Sequence, residues 1–279
     1  MKIYSINSGL FKLDGGAMFG VVPKSLWERT NPADENNMCS WAMRCLLIEL
    51  ENKLILIDTG IGNKQNEKFF SFFHLHGKYN LKQSIERVGF STNEVTDVIL
   101  THLHFDHCGG AVNKEGNNYE LAFPNAKYWT NKEHWEWANN PNQREKASFL
   151  KENFLPIKTQ NKLFFLNEGN FSKEIKIKFF HGHTKAQIIP FINFKNKTIV
   201  FCADLLPSTG HIPLPYVMSY DVQPLITLKE KENFLEEASN KNYILFLEHD
   251  YYNECCTVEK QNNKFIVNKK GEIKDFIDL

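Results

Sequence analysis

The sequence predicts an α+β fold built from sandwiched layers of sheet and helix. Three observations carry this expectation. Short apolar strand-like runs recur along the chain, they come in series rather than in strict alternation with helices, and 42% hydrophobic residues over 279 positions can bury one large core. A doubly wound parallel sheet would need regular strand and helix alternation, which is missing. One unit over residues 1–279 is expected, without linker or internal repeat.

Strands open the chain. Residues 2–13 alternate in polarity, and 43–50 and 53–58 are apolar runs separated by Glu51 and Asn52, the spacing of a tight hairpin. Residues 81–88 have helical spacing. The run Asp97-Val98-Ile99-Leu100 stops abruptly at Thr101 and a group of histidines, as a buried strand running into a loop does. A strand over 126–130 precedes helices over 132–138 and 143–153. Strands follow at 163–166, 175–180, 191–194 and 198–201, then a helix over 228–239 and a strand over 243–247 that leads to His249. The Asn- and Lys-rich stretches 113–118 and 261–264 are expected to be solvated loops.

Lys plus Arg (33) equals Asp plus Glu (33), so no field of one sign draws the chain to nucleic acid or to an anionic membrane. A small molecule is the expected partner. The six cysteines (Cys39, Cys45, Cys108, Cys202, Cys255, Cys256) form no regular framework, and reduced thiols and a cytoplasmic location are expected. The start, Met1-Lys2-Ile3-Tyr4-Ser5, lacks the pattern of a signal peptide, and no apolar run approaches the roughly 18 residues of a membrane span.

Chemistry concentrates in His102-Leu103-His104-Phe105-Asp106-His107, four candidate ligands in one short run. Alternate residues of an extended loop face the same way, so His102 and His104 can hold one ion while Asp106 and His107 turn toward another. A lone histidine is usually a satisfied core or surface residue. Several together cost solvation or repel one another unless something binds them. Gly109 and Gly110 follow, where backbone freedom lets the chain pass close to a metal centre. No Gly-x-Ser-x-Gly elbow offers a serine nucleophile.

The stretch 101–110 resembles the signature loop of the metallo-β-lactamase superfamily, His-x-His-x-Asp-His followed by small residues. Other landmarks recur in the family's order: Asp58-Thr59-Gly60 is similar to its early Asp-x-Gly turn, Gly182-His183-Thr184 to its Gly-His-Thr turn, Ala203-Asp204 to its bridging aspartate, and Glu248-His249-Asp250 to its final histidine. The resemblance spans about residues 40–250 and implies a four-layer αββα metallo-β-lactamase sandwich. It implies His102, His104 and His183 on one divalent metal ion, Asp106, His107 and His249 on a second, and Asp204 bridging the two. It also implies that Asp58 orients a ligating histidine from behind. Zinc is the expected metal, with Mn, Fe or Co accepted by the same donors. Two such ions would make a bridging hydroxide near neutral pH, with Asp204 or Asp106 helping to move protons, so hydrolysis is the implied reaction. One departure is that Lys185-Ala186-Gln187 continues the Gly-His-Thr turn, placing Gln187 where some members have a non-ligating histidine.

Ligand identity selects among branches of the resemblance. His104 in place of a carboxylate disfavours the di-iron flavoprotein relatives, and Asp204 where true β-lactamases commonly carry Cys disfavours penicillin hydrolysis. The neutral charge disfavours the RNA-processing members. What remains is similar to the quorum-quenching N-acyl-homoserine lactonase and methyl parathion hydrolase side. The stretch 13–23 resembles a glycine-rich loop of these relatives in which Met18 and Phe19 would overhang the pocket, and the apolar stretch 203–221 suits an acyl chain. His211, Tyr216 and Tyr220 are further pocket candidates, and Pro207 stands where some lactonases carry a tyrosine. A lactonase or related ester hydrolase is the first expectation. A phosphotriesterase or glyoxalase-II-like thioesterase is the second, and a metal-binding protein without turnover the third. The aromatic loop 69–73 offers a face on which a second copy could pack as a homodimer.

Overall fold

The structure, a computed structural model, describes residues 1–277, which divide into two units: Met1–Leu10 with Met43–Asn167, and Phe11–Ala42 with the described chain from Glu168 on. The strands up to residue 167 are β1 (Lys2–Asp14), β2 (Met38–Glu49), β3 (Leu54–Ile57), β4 (Asp97–Ile99), β5 (Val112–Glu115), β6 (Asn118–Leu121), β7 (Lys127–Thr130) and β8 (Leu163–Phe165). Six of them form one sheet in the order β1-β2-β3-β4-β7-β8, and β5 pairs with β6 as a separate hairpin. β2 and β3 are antiparallel, with Glu49 opposite Leu54, so the tight turn expected around Glu51 and Asn52 is present. β3, β4, β7 and β8 run parallel. Every residue of β3 and β4 is buried, which is why these strands read as unbroken apolar runs rather than as alternation. The core of this unit gathers Ile6, Leu56, Val98, Leu103, Tyr128 and Phe154. Parallel β4 therefore ends inside that core and delivers Thr101 to His107 at its C-terminal end, the usual place for chemistry on a parallel sheet.

The second unit carries β9 (Gly169–Asn170), β10 (Ile175–Phe180), β11 (Gln187–Phe194), β12 (Lys197–Phe201), β13 (Ile244–Phe246), β14 (Cys255–Gln261) and β15 (Lys264–Gly271) in a sheet ordered β15-β14-β13-β12-β11-β10-β9. Only β12 and β13 are parallel neighbours here; the other described pairs are antiparallel. Asp204 lies just past the C-terminal end of β12 and His249 just past that of β13, so this unit repeats the placement of the first. The long helix Pro224–Lys241 starts with proline at its first position and ends at Asn242 in the left-handed conformation, both standard terminators.

Three expectations need correction. The stretches 113–118 and 261–264, expected as solvated loops, are the turns and flanks of the β5–β6 and β14–β15 hairpins. In the second, Asn262 and Asn263 both have positive φ (48° and 60°), the conformation of a two-residue hairpin turn that asparagine tolerates. The helix expected over 143–153 is a single 3-10 turn, Lys146–Ser148, followed by a helix over Lys151–Thr159. That helix continues through Pro156, where sequence rules would have stopped it. The stretch 13–23 is not a simple loop: Asp14 caps a short helix, Gly15–Phe19, by accepting from the Ala17 amide. Among the described residues, no helix is long and apolar enough to cross a membrane, and all six cysteines are buried thiols.

Candidate metal centre

In the first unit, the donors are set from Asp58, which is fully buried and held at φ 58°, a conformation that non-glycine residues reach only at some cost. Its Oδ1 accepts from the Thr101 amide (2.7 Å), and its Oδ2 accepts from the Thr101 hydroxyl (2.6 Å) and from His107 Nδ1 (3.1 Å). Since the Thr101 hydroxyl spends its proton on Asp58, it accepts from His102 Nδ1 at 3.1 Å. His102 and His107 are thereby fixed with the proton on Nδ1, so Nε2 is the atom each would turn to a cation. His104 is held the other way round. Its Nε2 donates to Glu145 Oε1 at 3.0 Å, which puts the ring proton there and leaves Nδ1 as the unprotonated nitrogen. The His102 ring lies 4.5 Å from that of His104 and 3.9 Å from that of His107, and Asp106 Oδ2 is 3.8 Å from His107 Nε2. Behind the loop, His134 Nε2 accepts from the Leu103 amide at 2.8 Å. Gly109 and Gly110 are required by space: a Cβ on either would stand 2.1 Å from the carbonyl oxygen of Ile61 or of Thr59.

In the second unit, His183 is set by a turn that the helix Pro224–Lys241 grips. Glu230 accepts from the amides of His181 and Gly182 (2.8 and 3.0 Å), and a Cβ on Gly182 would stand 2.3 Å from the Thr227 nitrogen. Burial pushes the Glu230 carboxyl up, against the pull of those two amides. His183 Nδ1 donates to Asp221 Oδ1 at 2.8 Å, and its Nε2 lies 3.0 Å from Asp204 Oδ2. His249 Nδ1 donates to the Ala42 carbonyl at 2.8 Å, and its Nε2 lies 3.1 Å from Asp204 Oδ1. The two oxygens of one carboxylate thus each face an imidazole. Burial alone would lower the His183 pKa, but the Asp204 and Asp221 carboxylates outweigh it and hold the imidazole up at about 10. Ala203, next to Asp204, has φ 40°, a second strained position beside a donor.

Imidazole nitrogens and carboxylate oxygens are the donors that zinc and its first-row neighbours take. Each unit buries such a set with the far ring nitrogens already anchored, the arrangement that orients histidine ligands in metal sites. The residues present fit divalent metal.

Of the pocket candidates, Met18 and Phe19 are buried, and Phe19 stacks against Trp27 and His211 with ring centroids 5.2 and 4.4 Å away. His211 has both nitrogens engaged, with Ser208 Oγ (2.8 Å) and the Met18 carbonyl (2.9 Å), and burial pulls its pKa down to about 3. Phe19 and His211 are therefore stacked on each other, while the hydrogen bonds of His211 go to Ser208 and to the Met18 backbone. Tyr216 meets the Phe19 ring edge-on, whereas Tyr220 is exposed. In the aromatic loop, Phe69 and Phe73 pack on Phe105 of the His102–His107 run, and Phe72 is exposed. Sequence reasoning missed Glu145, His134, Asp221 and Glu230. Each is a single polar residue in an ordinary stretch, and no spacing pattern singles it out.

The family described as the metallo-beta-lactamase superfamily matches residues 44–249. Among solved structures, a probable metal-dependent hydrolase from Staphylococcus aureus is similar at 28% identity and a TM-score of 0.86, covering 96% of this chain and 97% of that one. AidC, a dizinc quorum-quenching lactonase solved with the product N-hexanoyl-L-homoserine, is similar in fold at 21% identity and a TM-score of 0.79, covering 95% and 93%. An N-acyl homoserine lactonase of a Bacillus species is 26% identical over 195 residues, 66% of each chain. The match to N-acyl homoserine lactonase AiiA of Bacillus thuringiensis subsp. kurstaki is 29% over 119 residues, 39% of this chain and 43% of that relative. The chain thus spans less than two thirds of the length of these curated relatives.

Proposed function

Because this chain belongs to the metallo-β-lactamase superfamily and has its α+β fold, we propose that it is a dinuclear metal-dependent hydrolase of ester or lactone bonds, with an N-acyl-homoserine lactone as the first substrate to test. The observation that carries the reading is Asp204, whose two oxygens lie 3.0 and 3.1 Å from His183 Nε2 and His249 Nε2, the posture of a carboxylate shared between two cations. His102, His104 and His183 would hold one ion, Asp106, His107 and His249 the other, and Asp204 both. Bound there, two divalent ions supply Lewis acidity and bring the pKa of water near neutrality. The side chains of this protein do the rest. Asp58 and Asp221 keep His107 and His183 in the ligating tautomer, Asp106 and Asp204 can take and return a proton at Oδ, and burial of the donors keeps bulk water from competing. The lactonases similar in sequence support the substrate class, as does the apolar stretch 203–221.

The test is hydrolysis by zinc-reconstituted protein of three probes: an N-acyl-homoserine lactone, a phosphotriester and a thioester. Lactone turnover is expected to dominate. Preference for either other probe would move the protein to the phosphotriesterase or glyoxalase-II-like reading, and silence toward all three with metal bound would favour binding without turnover. Asp204→Ala should lose nearly all activity while its circular dichroism stays native; retained turnover would contradict the bridging role.

A further inference from the structure

His104 differs from the other donors of its loop in being held through Nε2, and the group that holds it is a buried carboxylate outside the ligand set. Glu145 comes from the segment between the helices Lys132–Asn139 and Lys151–Thr159. Its Oε1 accepts from His104 Nε2 at 3.0 Å, while its Oε2 accepts from Trp137 Nε1 at 2.7 Å and from Asn142 Nδ2 at 3.2 Å. The carboxylate is itself placed by its own backbone, whose amide donates to Asn142 Oδ1 at 3.1 Å. Both residues of the pair are buried, so little solvent screens the interaction. Trp137 lies on the same helix as His134, which accepts from the Leu103 amide between His102 and His104. One helix and the turn after it thus fix both the backbone and the ring of this ligand pair.

We propose that Glu145 is a positioning residue that keeps the proton on His104 Nε2 and so makes Nδ1 the metal-binding atom. The proposal rests on the metal-binding reading above, but its central claim concerns a proton position that can be read without metal. The chemistry makes Glu145→Gln a sharp probe. Trp137 and Asn142 both donate, so they demand an oxygen at the Oε2 position, and the glutamine must turn its NH2 toward His104. The ring would then accept at Nε2 and carry its proton on Nδ1, the wrong tautomer for binding through Nδ1. Replacing Trp137 by Phe in the same protein removes the stronger of the two demands, letting the amide turn its oxygen back to His104.

The experiment is histidine side-chain 15N NMR on metal-free protein, followed by zinc titration against a competing chelator. Wild type should show His104 protonated on Nε2. Glu145→Gln should move the proton to Nδ1 and weaken one of the two zinc ions by about 10- to 100-fold, leaving the other unchanged. The double variant Trp137→Phe/Glu145→Gln should recover part of both signals, which a loss through general destabilisation would not do. Nε2–H retained in Glu145→Gln with wild-type zinc affinity would overturn the proposal, as would Nδ1–H in the wild type, which decides the matter even if the variant does not fold. Wild-type protein that shows Nε2–H on His104 yet binds no zinc would sink the hydrolase reading and leave the Glu145 tautomer lock standing.

Discussion

Asp58 does three things with one carboxylate: it accepts from the Thr101 amide, from the Thr101 hydroxyl and from His107. Asp58→Asn tests this cleanly, since asparagine tolerates the left-handed backbone found there and only the acceptor count changes. The amide must turn its NH2 against at least one of the three donors. Stability should fall by about 1–3 kcal/mol in urea unfolding, and zinc affinity by about 10- to 100-fold in chelator competition; unchanged affinity would remove Asp58 from the site. Gly182→Ala should likewise lose stability, by about 1–3 kcal/mol, because its Cβ meets the Thr227 backbone, which cannot step aside as a flexible side chain could. The ligand candidates were legible at this scale because four donors crowd one short run and Asp58 stands in a recognisable turn. Glu145 and Asp221 were not, for a carboxylate that becomes a partner only through folding leaves no mark on its neighbours in sequence.

At the scale of elements, the helix Pro224–Lys241 grips the His183 turn and also buries a lysine. Lys231 donates to the carbonyls of Pro213, Leu214 and Tyr216 (2.8, 3.3 and 2.9 Å), tying the helix to the chain that follows Asp204. Burial pulls its ammonium down to about 7. The unfolded chain keeps that proton up to the ordinary lysine value, so between about pH 7 and 10.5 the unfolded state binds more protons than the native one. The sign is that stability rises with pH across this window, and below it the buried charge is carried at full cost. Wild type compared with Lys231→Met in urea at pH 6 and 9.5 should show the wild type gaining ground at the higher pH; a gap that does not change would place the titration elsewhere. Most strands and the late helix were readable from apolar periodicity. The β14–β15 hairpin was not, because its outer residues are polar and its turn, Asn262-Asn263, reads as a loop unless the left-handed backbone of both residues is known. The helix Lys151–Thr159 was displaced from its expected position because Asn142 and Glu145 bond locally, which holds residues 142–145 in a turn.

For the whole molecule, the family was legible because landmarks from Asp58 to His249 keep their order over most of the chain, and the match to residues 44–249 agrees. The finer activity was less so, since the side chains named for an acyl pocket, Phe19 and His211, stack on each other. Bound metal should stabilise the native state through mass action, by about 4 kcal/mol when free metal is a thousandfold above its dissociation constant. Calorimetry with and without chelator should therefore show a fall in Tm of several degrees on metal removal, and an unchanged Tm would count against the proposed site.

The six buried thiols have a use of their own. Cys108 is enclosed with its Sγ donating to the Leu103 carbonyl at 3.3 Å, and burial pushes its thiol up to about 12; Cys202 and Cys256 are enclosed and shifted in the same direction. An alkylating reagent can reach them only when the chain opens. The rate of labelling is then a clock on breathing motions, with Cys108 timing the first unit and Cys202 and Cys256 the second, so mass spectrometry of the tagged peptides can rank which half loosens sooner.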